Sequence, residues 1–289
     1  MMAVWYRQKS LHDLIQIKSR RSQIDEYQND PTGISDTTLA PNAERVRSMD
    51  MQQRHIHNSD LPVVCRSCEA RHGGVCGALN PVQLTELSRH TSRKMVGIGS
   101  EVIGQGESVS SYSNILKGVV KLSKVMADGR QQIVGLQFAP DFMGRPYLGE
   151  SRMTAEAATE TEICVFPKRA LERMMNEAPE LGQKLHAQSL KELDEARDWM
   201  LTLGRKTAQE KVASFLSLIA THIDPENNEV STFDLPLSRA DIADFLGLTI
   251  ETVSRQMTRL RKEGIIHIEN NRHVTVPDLN RLANAAGND

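Results

Sequence analysis

Gly247, set between two helical patterns, constrains this chain more than any other residue. Upstream, Ser238 followed three residues later by Asp241 reads as a capping box for a first helix. Ala240, Ile242, Ala243 and Leu246 supply that helix with small and apolar packing. Gly247 falls where a tight interhelical turn needs a left-handed residue, a conformation in which a Cβ is costly. Downstream, Thr249 is placed to cap a second helix, and Val253, Met257 and Leu260 recur at helical spacing on one inward face. The spacing predicts two short helices joined at a sharp turn. Gly264 is expected to end the second helix, and Ile265–Ile268, Asn270-Asn271 and His273–Val276 read as a β-hairpin wing.

Burying Val253, Met257 and Leu260 leaves Ile250, Glu251, Ser254 and Arg255 on the exposed N-terminal face of the second helix. In a helix-turn-helix this end meets base edges in the major groove of double-stranded DNA. Arg255 can donate a bidentate pair to guanine, Glu251 can accept from a cytosine amino group, and Ser254 and the Ile250 methyls can contact thymine. Arg259, Arg261 and Lys262 continue as a basic flank suited to phosphates. Any one of these arginines alone would read as part of a solvated helix face. The assembled pattern of cap, glycine turn, polar tip and wing points to DNA.

At 289 residues the chain can hold two domains with sizeable cores. Its net charge of −2 means that a nucleic-acid surface has to be a local patch. No apolar run approaches the ~20 residues needed to span a bilayer. The first residues carry Arg7, Lys9, Lys18, Arg20 and Arg21 but no apolar secretory core, so a cytoplasmic protein is expected. Residues 1–60 are polar and nearly aperiodic, and are expected to be a loosely attached extension. A cysteine-bearing segment occupies 61–80. Asn80-Pro81 then opens a short helix with Leu84 and Leu87 on one face. Over 81–178 short β-like runs punctuated by glycine suggest a small antiparallel barrel or jelly roll. Within it, Asp128-Gly129 is read as the two-residue type I′ turn of a hairpin.

From 179 to 204 one long helix is expected, with Leu193, Ala196, Met200 and Leu203 spaced at alternating steps of three and four. That narrow seam suits a homodimer, and packing on the chain's own barrel is the competing use. Residues 205–289 complete the winged helix-turn-helix. The expected fold class is therefore α+β: a jelly-roll-like β-roll sensory domain, a long dimerisation helix and a C-terminal winged helix-turn-helix.

Cys65, Cys68 and Cys76 follow a C-x2-C-x7-C spacing, and the fourth cysteine, Cys164, lies far away in sequence. Iron–sulfur clusters are held by four thiolates, which would use all of them. A zinc ion held by three cysteines and one of His55, His57 or His72, or by four cysteines, fits the same spacing. Cys164 could also be an ordinary buried strand residue. Heme is a third option, with His90 and His186 available. Gly73 and Gly74 would let the cysteine loop turn tightly. Nothing resembles a phosphate loop, a nucleophile elbow or an HExxH pair, so an enzyme is not expected.

Over residues 80–280 the chain resembles the CRP/FNR family of bacterial transcription regulators. Glu251-Thr-Val-Ser254-Arg255 matches the E-x-x-S-R recognition pattern of its FNR/FixK branch. That resemblance implies a TTGAT-N4-ATCAA-like inverted repeat as operator and RNA polymerase as a partner. The cyclic-AMP receptor branch has an arginine where this chain has Ile250. Its nucleotide-binding Gly-Glu pair, followed about ten residues on by Arg-Ser or Arg-Thr, is also not matched. Gly149-Glu150 has Arg152 beside it instead, so a cyclic nucleotide is not expected. The cysteines resemble those of the oxygen-sensing members, which implies a [4Fe-4S] cluster on Cys65, Cys68, Cys76 and Cys164. It also implies control of microaerobic genes and, in a rhizobial setting, of genes linked to nitrogen fixation.

Overall fold

A computed structural model describes residues 61–287 apart from 67, 69 and 224–229. The expected loose extension 1–60, with His55 and His57, lies outside the described residues. Helices α1 (Val63–Arg66) and α2 (Ala70–Gly73), a 3-10 turn (Val75–Ala78) and α3 (Pro81–Ser88) lead into the strands. Asn80 caps α3 through a full capping box with Gln83, and Pro81 opens it.

Eight strands form two four-stranded antiparallel sheets. One orders β1 (Ser92–Val96), β8 (Thr161–Pro167), β3 (Ser111–Lys117) and β6 (Phe142–Met143). The other orders β2 (Glu101–Ile103), β7 (Thr154–Ala157), β4 (Val119–Val125) and β5 (Gln131–Phe138). Val96, Ile115, Val120, Ala157 and Ile163 fill the space between them. Because side chains alternate along a strand, the residues beside Ile115 and Ile163 point the other way. Tyr112 and Asn114 of β3 and Cys164 and Phe166 of β8 therefore look outward. There they meet Val75 of the cysteine-bearing segment, Leu84 and Leu87 of α3, and Leu171 and Leu181 of the following helices beside a second apolar cluster.

The β4–β5 turn differs from the expected type I′ form. Only Gly129 takes a positive φ (84°). The Gly129 N–H donates to the Met126 carbonyl and the Met126 N–H to Arg130, so the loop has three residues with a glycine bulge. Asp128 can then stay in an ordinary conformation and accept from Arg130. Two consecutive positive φ values occur instead in the wing, at Asn270 and Asn271. Gly74 is also used otherwise than expected. Its φ is −88°, and a Cβ there would sit 2.6 Å from the Ala70 carbonyl and 2.9 Å from that of Pro140. Close packing against the β5–β6 turn, not handedness, excludes a side chain.

Helix α4 (Lys168–Glu177) is followed by α5 (Pro179–Arg205), α6 (Ala208–Ile223) and β9 (Ser231–Asp234). The chain closes with α7 (Arg239–Leu246), α8 (Ile250–Lys262), β10 (His267–Glu269), β11 (His273–Val276) and α9 (Leu279–Ala285). The fold class expected from the sequence is the one observed. None of the described helices is long and apolar enough to cross a membrane.

The winged helix-turn-helix, here called the reader, and the β-roll share one apolar core, which joins Val119, Ile133 and Phe138 to Phe215, Leu246 and Val253. Two polar ties sit beside it. Lys121 on β4 pairs with Asp241 of α7 at 2.8 Å and with Glu156 at 2.9 Å. The Gln132 amide of β5 donates to the Asp244 and Phe245 carbonyls at the other end of α7. Burial works against the Lys121 charge, but hydrogen bonds to Asp241 and Glu156 outweigh it and raise its pKa. Replacing Lys121 by Met leaves two partly buried carboxylates without their cation. Chemical denaturation of Lys121→Met is expected to show a loss of about 1–3 kcal/mol, and no loss would mean that the pair contributes nothing.

Candidate functional site

The reader forms for the reasons its sequence suggested. Ser238 accepts from the Asp241 N–H while Asp241 accepts from the Ser238 N–H, closing the capping box. Gly247 is left-handed, with φ 61° and ψ 42°. Thr249 caps α8 by accepting from the Thr252 N–H. Val253, Met257 and Leu260 are buried, and Ile250, Glu251, Ser254, Arg255 and Arg259 are all exposed. The backbone N–H of Glu251 and the Thr249 hydroxyl hold the Glu251 carboxyl below its usual pKa, so it stays an acceptor.

Arg255 reaches back to the Thr252 hydroxyl at 3.5 Å. Arg259 pairs with Glu263 at 2.9 Å, which steers its guanidinium toward the C-terminal end of the helix. Ser254, Arg255, Thr258, Arg259 and Lys262 line one open groove. Thr258 was not singled out from the sequence, although it shares the helical spacing of Ser254 and Arg255. Arg281 carries no signal in the sequence either. It donates to the Glu263 and Gly264 carbonyls and so satisfies the exposed end of α8 from a helix that no local signal connects to it.

The second site is made by the cysteines. Cys65, Cys68, Cys76 and Cys164 all line one small cavity, together with Asn114 and Thr91. Segment 65–76 reaches it from the helical turns, and Cys164 reaches it from the outward face of β8. None of the four is in a disulfide. Burial, then the neighbouring Cys164, Cys68 and Cys65, push the Cys76 thiol up to about 12. Burial, then Cys68 and Cys65, raise Cys164 to about 11, against a hydrogen bond with Thr91 and the charge of Arg93. Cys65 is raised by burial and by Cys68.

The mutual repulsion between these sulfurs follows from their proximity. The donor set is all soft thiol, which suits iron–sulfur or zinc chemistry and not calcium or magnesium. No group of three or more Cys, His, Asp and Glu side chains among the described residues converges as a single-ion site. His72 is exposed, lies against Arg71 and is not among the cavity residues. His90 and His186 are exposed too.

Comparison with known proteins finds a match for each half of the described chain. Residues 93–178 match the cyclic nucleotide-binding domain, and residues 210–285 the Crp-like helix-turn-helix domain. A protein of Rhizobium leguminosarum bv. viciae described as "Probable transcriptional activator" is 64% identical over 234 residues, 81% of this chain and 98% of that one. The transcriptional activator protein FnrL of Cereibacter sphaeroides is 42% identical over 229 residues, 78% of this chain and 92% of its own. The solved structure of FixK2 from Bradyrhizobium japonicum has a TM-score of 0.62 at 33% identity, covering 68% of this chain and 96% of that one. The chain belongs to the CRP/FNR family. It is a DNA-binding transcription regulator and not an enzyme.

In this CRP/FNR regulator the part matching the cyclic nucleotide-binding domain is the β-roll. Arg145, Glu150 and Arg152 line a cavity of about 770 Å³ between the β-roll and α5, but Glu107 and Glu192 line it as well. The expected seam on α5 lies mostly open to solvent: Leu193 is 46% and Met200 72% exposed, Ala196 is exposed and Leu203 is half-buried. Leu190 and Leu201 add apolar surface beside it.

The raised thiols make a prediction about the metal-free protein. A fold that favours the neutral thiol contributes stability that is complete below the ordinary value of 9.0 and is lost as pH rises toward about 11–12. Thermal unfolding should therefore fall more steeply between about pH 8 and about pH 10.5 in the metal-free parent than in Cys76→Ser. Identical slopes would show that the thiols titrate as free ones.

Proposed function

We propose that this regulator is an oxygen-responsive transcriptional activator whose four cysteines hold a [4Fe-4S] cluster. The observation that carries the reading is the single cavity lined by all four thiols, three from a short N-terminal segment and one from the β-roll. Such a cluster, when bound, supplies an oxygen-labile link between those two segments. Cys65, Cys68 and Cys76 would hold one side and Cys164 the other, each as a thiolate, so loading releases protons. Thiols raised to about 11–12 in the metal-free fold make that release costly at neutral pH, and uptake should improve as pH rises.

The link bears on α5 through packing. Leu181 and Leu185 at its start lie in the same apolar cluster as Val75, Leu84 and Phe166, and Cys76 and Cys164 border that cluster. Two chains pair along Leu193, Ala196, Met200 and Leu203, and the homodimer presents two copies of α8 to successive major grooves. Each copy reads one half of a TTGAT-N4-ATCAA-like repeat through Ile250, Glu251, Ser254 and Arg255, with Arg259 toward the phosphates. RNA polymerase is the further partner of an activator, and the target genes are those of microaerobic growth, including nitrogen-fixation-linked respiration. The carboxylates of Glu107, Glu150 and Glu192 around the β-roll cavity disfavour a cyclic phosphate there.

Anaerobic purification followed by absorption spectroscopy, iron and sulfide analysis, and footprinting before and after air tests the reading. Iron, sulfide and a broad visible band should be present, and protection of the operator should be lost in air. A colourless zinc protein that binds its operator equally well in air would overturn it, and would leave a zinc-stabilised regulator without a redox switch. Two variants test the reader and the seam separately. Arg255→Ala should weaken operator binding by ~10–100-fold with little change on unrelated DNA. Leu193→Asp should give a monomer by sedimentation that still loads its cluster.

A further inference from the structure

Asn114 sits in the middle of β3 and is 1% exposed. Strand interiors favour β-branched and aromatic residues, and asparagine is among the depleted types. Its neighbours on the outward face, Tyr112, Phe142 and Phe166, belong to an apolar cluster. A buried amide there needs partners for two N–H groups and a carbonyl. It has one described partner: its Nδ2 donates to the Cys76 Sγ at 3.4 Å. Its Oδ1 is buried with no hydrogen bond among the described residues. In the ladder Asn114 stands directly opposite Cys164, and it lines the same cavity as all four cysteines.

From these observations we infer that Asn114 is a positioning residue for the cysteine site, where its amide N–H steadies the Cys76 sulfur as a ligand. This rests on the cluster reading given above. A metal-bound sulfur only accepts hydrogen bonds, so the amide nitrogen and not the oxygen has to face it. A donor to a charged sulfur forms a stronger bond than one to a neutral thiol, so Asn114 contributes more in the loaded protein than in the metal-free one. In the metal-free fold the balance differs. There a weak bond to a thiol is set against an orphaned carbonyl, and an apolar side chain of similar shape serves as well or better.

Asn114→Leu therefore separates a role toward the ligand from a role in the fold. The metal-free variant is expected to melt no lower than the metal-free parent. After anaerobic loading with iron and sulfide, its visible band is expected to bleach in air-equilibrated buffer about 10-fold faster, since outer partners of metal ligands typically carry effects of that size. Asn114→Ser, which cannot overpack the site and whose hydroxyl ends about one bond short of the amide nitrogen, should bleach faster in the same way if the leucine variant fails to fold. A metal-free leucine or serine variant that melts lower while its loaded form bleaches at the parent rate would overturn the inference and make Asn114 structural. A parent that takes up no iron and sulfide overturns the cluster reading, and this inference with it. A parent that loads beside a variant with an unchanged bleaching rate overturns the inference alone.

Discussion

Side-chain alternation along β8 is the constraint on which both halves of the β-roll domain depend. Ile163 turns inward to the space between the two sheets, and Cys164 and Phe166 turn outward beneath the cysteine-bearing segment. A slip of one residue in the β3–β8 register would exchange the two faces. It would place a thiol in the inter-sheet core and an isoleucine at the cavity. The ladder that pairs Asn114 with Cys164 and Ile115 with Ile163 fixes this arrangement. The cysteine site is therefore built on a rigid sheet on one side and on a short stretch of helical turns on the other.

That asymmetry suits the sensor role proposed above. Phe166 and Tyr112 on the sheet side are among the largest fully buried side chains of the described residues, so the Cys164 side of the cavity cannot move without disturbing the β-roll. The segment around Cys65 and Cys68 consists of short helical turns, and Leu61, Val75 and Leu79 tie it into the apolar cluster. Leu181 and Leu185 bring the start of α5 into the same cluster, so the site adjoins the helix that carries the exposed seam. At its far end Trp199 packs on Phe245 of the reader, with ring centroids 4.5 Å apart. One helix thus touches both the cysteine site's apolar surroundings and the DNA-reading unit.

Local signals made the reader legible. The Ser238–Asp241 box, the left-handed Gly247 and the Thr249 cap each concern residues within a few positions of one another, and short-range geometry decides them. The turn at Asp128-Gly129 departs from the expected form because the dipeptide fits two hairpin forms, and the pairing of β4 with β5, which carries its own bulge at Leu122–Ser123, decides between them. Asn270 and Asn271 adopt the double positive φ that the Asp-Gly pair suggested. The roles of Asn114, Lys121 and Arg281 were invisible for a related reason. Their partners lie 38, 120 and 18 residues away, and no spacing rule spans such distances.

The sequence alone determined the α+β class, the helix-turn-helix with its exposed tip, and a set of four cysteines in the ratio of three to one. Each follows from periodicity, capping or composition, which act over short stretches of chain. Only the tertiary structure decided that Cys164 faces the other three across one cavity, that His72 stays outside it, and that a buried asparagine donates to one of the sulfurs. It also decided that the first reader helix is tied to the β-roll at both ends. Strand register and the packing of one unit on another set these relations, because they bring together side chains that the covalent chain keeps far apart.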